Sequence, residues 1–145
     1  MKRIIFYCIL LAAAVMVPIK KIDISDLEPI QIVRMDRQEG SIILETDTGD
    51  VGKGENVQAA LNQLKKVSSG IVYLDTAEYL VVTDYAKAYI GHIKPFLKNG
   101  VRVCLWNGTE KIKDAAKYMK AHKNGVRIKN WSMETVLPRL PDMIE

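Results

Sequence analysis

Three carboxylates, Asp75, Glu78 and Asp84, lie within ten residues of one another around Leu74-Asp75-Thr76-Ala77-Glu78-Tyr79. Paired carboxylates perform acid–base chemistry when their environments push their pKa values apart. No His or Cys falls inside the segment to act as their partner, and turn formation and helix capping account for Asp75 and Asp84 without catalysis. A second candidate is Gly49-Asp50-Val51-Gly52-Lys53-Gly54, ahead of a helical pattern. Backbone amides at such a junction can cradle a phosphate, helped by the helix N-terminus. The spacing fits neither a P-loop nor a dinucleotide fingerprint, and Asp50 and Glu55 would repel an anion. Gly52, Gly54, Asp75, Glu78 and Asp84 therefore form the candidate ligand-binding set, placed near strand ends where α/β folds bind.

The most positive feature is the series Lys111, Lys113, Lys117, Lys120 and Lys123. On a helix with one apolar face it reads first as the solvated side. Its sharper reading is contact with an anionic surface through Lys113, Lys117 and Lys120, each lysine near a charged bilayer contributing about 1 kcal/mol. Tyr118 is the one aromatic residue interleaved with it, too few for the stacking that single-stranded nucleic acid requires. His92 and His122 stand far apart, each near a predicted helix C-terminus where an imidazole meets the dipole. No spacing suits a metal, so none is expected, and no cofactor motif is present. Cys8 lies in the apolar leader, which leaves Cys104 as the single thiol of the body, in the apolar run Val101 to Trp106. A small buried hydrophobe is its expected role. Without a convergent catalytic set, the chain is read as a non-enzyme.

The net charge of +4 is carried by Lys2, Arg3, Lys20 and Lys21, which flank the leader; the remainder holds 17 basic and 17 acidic residues. The basic pI therefore belongs to a targeting segment, and a polyanion-binding body is not expected. Within the body the charge is uneven. Ile22 to Ile93 holds 6 basic and 12 acidic residues, Lys94 to Glu145 holds 11 basic and 5 acidic. Pairing between the halves is the plain account; docking of the basic half on an anionic surface is the sharper one. At 48% hydrophobic and 26% charged, a chain of 145 residues has the makings of a packed core, which excludes disorder for the body.

Met1-Lys2-Arg3 followed by the uncharged run Ile4 to Val17 is a targeting segment. Residues 1–21 read as a signal anchor, with residues 4–19 in the membrane. Cleavage at Ala12-Ala13-Ala14, which would release a secreted protein, is the alternative. The short basic start places the body outside the cytoplasm as a single-pass protein.

The elements that position these residues follow from periodicity. Residues 22–29 read as a linker, 30–137 as the α/β domain and 138–145 as a flexible tail. Ile30 to Met35 and Ser41 to Thr46 predict a hairpin around Asp36 to Gly40. Val57, Ala60, Leu61, Leu64 and Val67 predict a helix from Glu55. Strands follow at Ile71 to Leu74 and Tyr79 to Val82, then a helix capped by Thr83 or Asp84 and divided at Pro95. A strand at Val101 to Trp106, a helix capped by Thr109, a strand at Val126 to Ile128 and a helical turn near Ser132 complete the order ββαββαβαβα. Alternation of this kind predicts an α/β (or α+β) domain, a mixed sheet with about three helices, behind the N-terminal helix.

One family shares this order. The hairpin, the Gly-x-Gly turn, the helix reading Val57-Gln58-Ala59-Ala60-Leu61 and the passage Tyr79-Leu80-Val81-Val82-Thr83-Asp84-Tyr85-Ala86-Lys87 resemble the N-terminal domain of spore germinant-receptor C-subunit lipoproteins. The resemblance spans Ile30 to Ile128. It implies an extracytoplasmic assembly subunit with protein partners, a sporulation or germination setting and no catalytic residue. The chain departs from that family in carrying no lipobox cysteine and in being much shorter.

Overall fold

The computed structural model describes residues 2–15, 27–68, 71–108 and 111–140. It is built on a six-stranded mixed sheet whose strands lie in the order Val51–Gly54, Ser41–Thr46, Ile32–Gln38, Tyr79–Val82, Arg102–Leu105, Val126–Arg127. Its first half is a meander: β2 (Ile32–Gln38), β3 (Ser41–Thr46) and β4 (Val51–Gly54) pair antiparallel in succession. The β2–β3 turn is only Glu39-Gly40, both at positive φ (50° and 80°). Such a two-residue loop matches the right-handed twist of the strands and explains a glycine at position 40. The predicted turn from Asp36 is thus shorter than expected, and Asp36 belongs to the strand.

The second half is parallel. β6 (Tyr79–Val82) pairs with β2 on one side and with β7 (Arg102–Leu105) on the other. The short β8 (Val126–Arg127) closes this edge antiparallel to β7. Alongside β8, residues 138–140, expected in a frayed tail, pair with the end of β7 at Leu105. Leu105 N–H donates to the Pro138 carbonyl at 3.0 Å, Leu140 N–H donates to the Leu105 carbonyl at 2.8 Å, and Leu140 is buried. Residues 141–145 lie outside the described residues. Part of the expected linker is also structured: β1 (Leu27–Pro29) pairs parallel with β5 (Ile71–Tyr73) as a separate ribbon.

Helices cover both faces of the sheet. On the first lie α2 (Val57–Val67), capped by the Asn56 side chain, and α3 (Ile90–Ile93). Leu61 and Leu64 of α2, Ile90 and Ile93 of α3, and Met35, Leu44, Leu80 and Val103 of the strands merge into the larger core. On the second face α4 (Ile112–His122) sets Ile112, Ala115 and Met119 against Ile32, Val81, Cys104 and Trp106. Cys104 is fully buried, and desolvation pushes its thiol pKa up to about 12, which keeps it protonated and inert, the small hydrophobe its setting predicts.

The helix expected after Asp84 is broken into the 3-10 turn Lys87–Tyr89, the single turn α3 and the 3-10 turn Lys94–Phe96. Pro95, which lacks an N–H, sits in the last of these. The expected cap Thr109 lies outside the described residues, and α4 starts at Ile112 after Lys111 with no side-chain cap. The turn near Ser132 is a short loop held by the Ser132 and Thr135 hydroxyls. At the N-terminus α1 (Lys2–Val15) is a separate apolar helix. Among the described residues no helix is long and apolar enough to cross a membrane.

Candidate functional site

The carboxyl ends of the parallel strands carry a polar cluster of which the sequence singles out Asp84 alone. β2 ends at Asp36 to Gln38, β6 runs into Thr83-Asp84, and β7 runs into Trp106-Asn107. Asp36 is buried, and its carboxylate accepts from the Thr83 hydroxyl (2.6 Å), the Gln38 amide (2.7 Å) and the Arg37 N–H (2.7 Å). Burial alone would raise the Asp36 pKa. The hydrogen bonds from Thr83, Gln38 and Arg37, with the charge of Arg34, outweigh it and leave the pKa below the ordinary carboxylate value. Beside it Asp84 accepts from the Asn107 amide (2.6 Å) and from Arg139 (3.0 and 3.1 Å), and its own N–H donates to Asn107 Oδ1 (3.1 Å). The Asn107 bond and then Arg139 hold its pKa down as well. Asp84 therefore does not cap the following helix as expected. It ties the end of β6 to the end of β7 and to the returning segment 138–140.

Next to this cluster the Arg34 guanidinium lies 5.2 Å from the Trp106 ring centroid and 3.8 Å from Glu45. Arg34, Asp36, Gln38, Ile43 and Glu45 line a hollow of about 80 Å³ on the half of the second face that α4 leaves open. That is room for a few waters at most.

The remaining carboxylates of the predicted set are elsewhere. Glu78 and Asp84 stand at opposite ends of β6, about 20 Å apart for six extended residues. Asp75 lies beyond β5, where a groove of about 550 Å³ opens between α2 and Pro95-Phe96. Leu61, Val72 and Leu74 form its apolar floor, with Lys65 and Asp75 at its polar positions. Gly52 and Gly54 are on β4, and their lack of a side chain has a packing reason. A Cβ on Gly52 would strike the Ala60 carbonyl and lie 2.7 Å from Leu64 N; one on Gly54 would strike the Ala60 amide. These glycines let the backbone of α2 settle on the strand, so the surface offered to a phosphate is taken by a helix. The five candidate ligand residues do not converge.

Lys113, Lys117 and Lys120 do. With Ala116 they form one flank of a groove of about 370 Å³, whose other wall is Pro29, Gln31, Asp47 and Tyr79. Spacing of four and three residues puts the lysines on one helical stripe. The opposite wall is the amino-terminal end of β2 and β6: Gln31 accepts from the N–H groups of Glu78 (2.8 Å) and Tyr79 (3.1 Å). Asp47 turns its carboxylate to the Gln31 N–H, both oxygens at 3.3 Å. Lys117 is 3.7 Å from Asp114, an exposed pair, while Lys113 and Lys120 have no carboxylate within ion-pair distance among the described residues. Burial, with the nearby charge of Glu78, raises the Tyr79 pKa and keeps the phenol a donor.

Both histidines are exposed. His122 ends α4, its Nδ1 3.0 Å from the Tyr118 carbonyl and its ring stacked on Tyr118 at 4.1 Å. His92 lies against Tyr89. Among the described residues no group of His, Cys, Asp and Glu is placed to hold a metal. Compared with known proteins, the chain matches no protein-family model, no curated protein and no solved structure.

Proposed function

We propose that this chain is a membrane-tethered, extracytoplasmic interaction module without catalytic activity, its α/β body held at the bilayer by the apolar N-terminal helix. The observation that carries the reading is the surface of α1. Ile4, Ile5, Phe6, Tyr7 and Ile9 are each more than half exposed, whereas the large apolar side chains of the sheet are almost all covered. A helix apolar on all sides needs an apolar surrounding. The 14 residues of α1 rise about 21 Å. In the sequence the apolar run continues to Ile19, and lysines follow at 20 and 21. Basic side chains at both ends reach the interface by snorkelling, which offsets a short apolar length. Lys2 and Arg3 at the start favour a cytoplasmic N-terminus and a body on the far side.

An interaction role suits the body because its candidate carboxylates are dispersed while its charged groove is open. An assembly subunit is also what the resemblance to germinant-receptor C subunits implies. A second reading, a small ligand-binding protein, is favoured by the groove beside Asp75, whose volume is in the range of small-molecule sites.

Membrane fractionation followed by intact-mass measurement tests the tether. Full-length mass in the membrane pellet, resistant to salt and alkaline washing and released by detergent, is the expected result. A mass beginning near Val15 in the soluble extracellular fraction would overturn it and favour the ligand-binding reading.

A further inference from the structure

We infer that the groove formed by Lys113, Lys117 and Lys120 against Pro29, Gln31 and Tyr79 is the face by which the body lies on anionic lipid headgroups of the membrane that holds its leader. The inference rests on the tethered reading and adds to it an orientation and a partner chemistry.

Three observations carry it. First, the three lysines share one groove, and the charges of Lys113 and Lys120 are not spent on carboxylates among the described residues. Second, the groove wall includes Pro29, the last residue of β1, the first strand after the leader. From Ile19 to Pro29 the chain can span at most about 35 Å, so the groove is confined near the interface. Interfacial attraction acts within a Debye length of about 8–10 Å, and a short tether holds the lysines at high effective concentration there. Third, Tyr79 and Gln31 line the groove beside the cations, and both side-chain types carry neutral donors suited to phosphate oxygens. Three carboxylates oppose the attraction: Asp47 in the groove, Asp114 beside Lys117, and Glu78, whose charge reaches Tyr79. Asp47 is partly engaged by the Gln31 N–H, and the neighbouring Lys111 and Lys123 restore a positive balance.

The test uses the full-length chain with vesicles of neutral phosphatidylcholine and with vesicles in which roughly one-third is phosphatidylglycerol. Flotation reports the tether, and amine acetylation read lysine by lysine reports the face. Lys113 and Lys120 should be acetylated about fivefold more slowly on the anionic vesicles than on the neutral ones. Lys65 and Lys66, on α2 across the sheet, should not change. The variant K113E/K117E/K120E should float with neutral vesicles as before and show no difference between the two lipids at Lys111 and Lys123. Flotation with both vesicle types but equal acetylation at Lys113 and Lys120 overturns this inference and leaves the tether standing. Flotation with anionic vesicles alone, with Lys113 and Lys120 protected, supports the face and sinks the tether. No flotation with either removes both. Equal protection by inorganic phosphate at matched ionic strength, without lipid, would overturn the bilayer as the partner.

Discussion

At the carboxyl ends of β2 and β6 the carboxylates are spent on donors of the protein itself. Asp36 takes three donors, and Asp84 takes Asn107 and Arg139. At the amino-terminal ends of the same two strands, Lys113 and Lys120 reach an open groove with no ion-pair partner among the described residues. Textures this different, on a shared pair of strands, separate what folds the protein from what faces its surroundings. A buried carboxylate with matched donors is costly to disturb, because each donor left behind is desolvated and unpaired. An exposed lysine costs almost nothing to remove, and its charge is free for a partner. A rule that looks for ligands at the carboxyl ends of parallel strands would choose the first end; the distribution of unspent charge favours the second.

The comparison breaks most readily at Trp106, which is 1% exposed and carries Arg34 over its ring. Trp106→Ala is expected to cost about 3–5 kcal/mol by chemical denaturation of the detergent-solubilised chain. A loss below about 1 kcal/mol would mean that the carboxyl end is not structural. Asp36→Ala comes next, at about 2–3 kcal/mol, since the Thr83 hydroxyl would be left buried without its acceptor. In a double-mutant cycle Asp36→Ala and Thr83→Val should couple by about 1 kcal/mol or more; additive losses would show that the short contact contributes no stability.

Asp36 also sets an acid dependence. Its folded pKa lies below the unfolded value, so the unfolded chain binds the proton first as pH falls. The contribution is complete above the ordinary carboxylate range of about 4 and is lost as pH drops from there through the depressed folded value. Asp36→Asn should flatten the fall in stability below about pH 4. An unchanged acid limb would assign that limb to other carboxylates.

Most strands were legible in the sequence, and the reasons divide cleanly. β2, β3, β6 and β7 announce themselves by runs of β-branched residues, and α2 and α4 by apolar stripes. β4 was hidden because Gly52 and Gly54 read as turn residues; their purpose is the approach of α2, a tertiary fact that no local pattern carries. The helix expected after Asp84 is longer than any that forms, because its apolar spacing persists through three short turns that Pro95 and the packing divide. Asp36 has the composition of a turn residue, yet it continues the alternation of Ile32 and Arg34 along β2, and that parity is the available signal. The lysine stripe is visible from its helical spacing, whereas its opposite wall of Pro29, Gln31, Asp47 and Tyr79 comes from three distant segments.

Two smaller effects sharpen the contrast. Arg139→Ala removes an exposed ion pair and should cost no more than about 1 kcal/mol globally. It should still speed hydrogen exchange at the Leu105 and Leu140 amides, which hold residues 138–140 to β7. Smallest of all is the effect on folding of K113E/K117E/K120E, expected within about 0.5 kcal/mol of the parent chain. The one pair it breaks, Lys117 with Asp114, is exposed on both sides, and such pairs contribute little. A glutamate at 113 lies in the first turn of α4, where the helix dipole favours it, while one at 120 lies in the last turn, where it does not, so the two largely offset. If the triple variant lost more than about 1.5 kcal/mol, the lysines would be part of the fold, and unspent charge would no longer distinguish one end of the strands from the other.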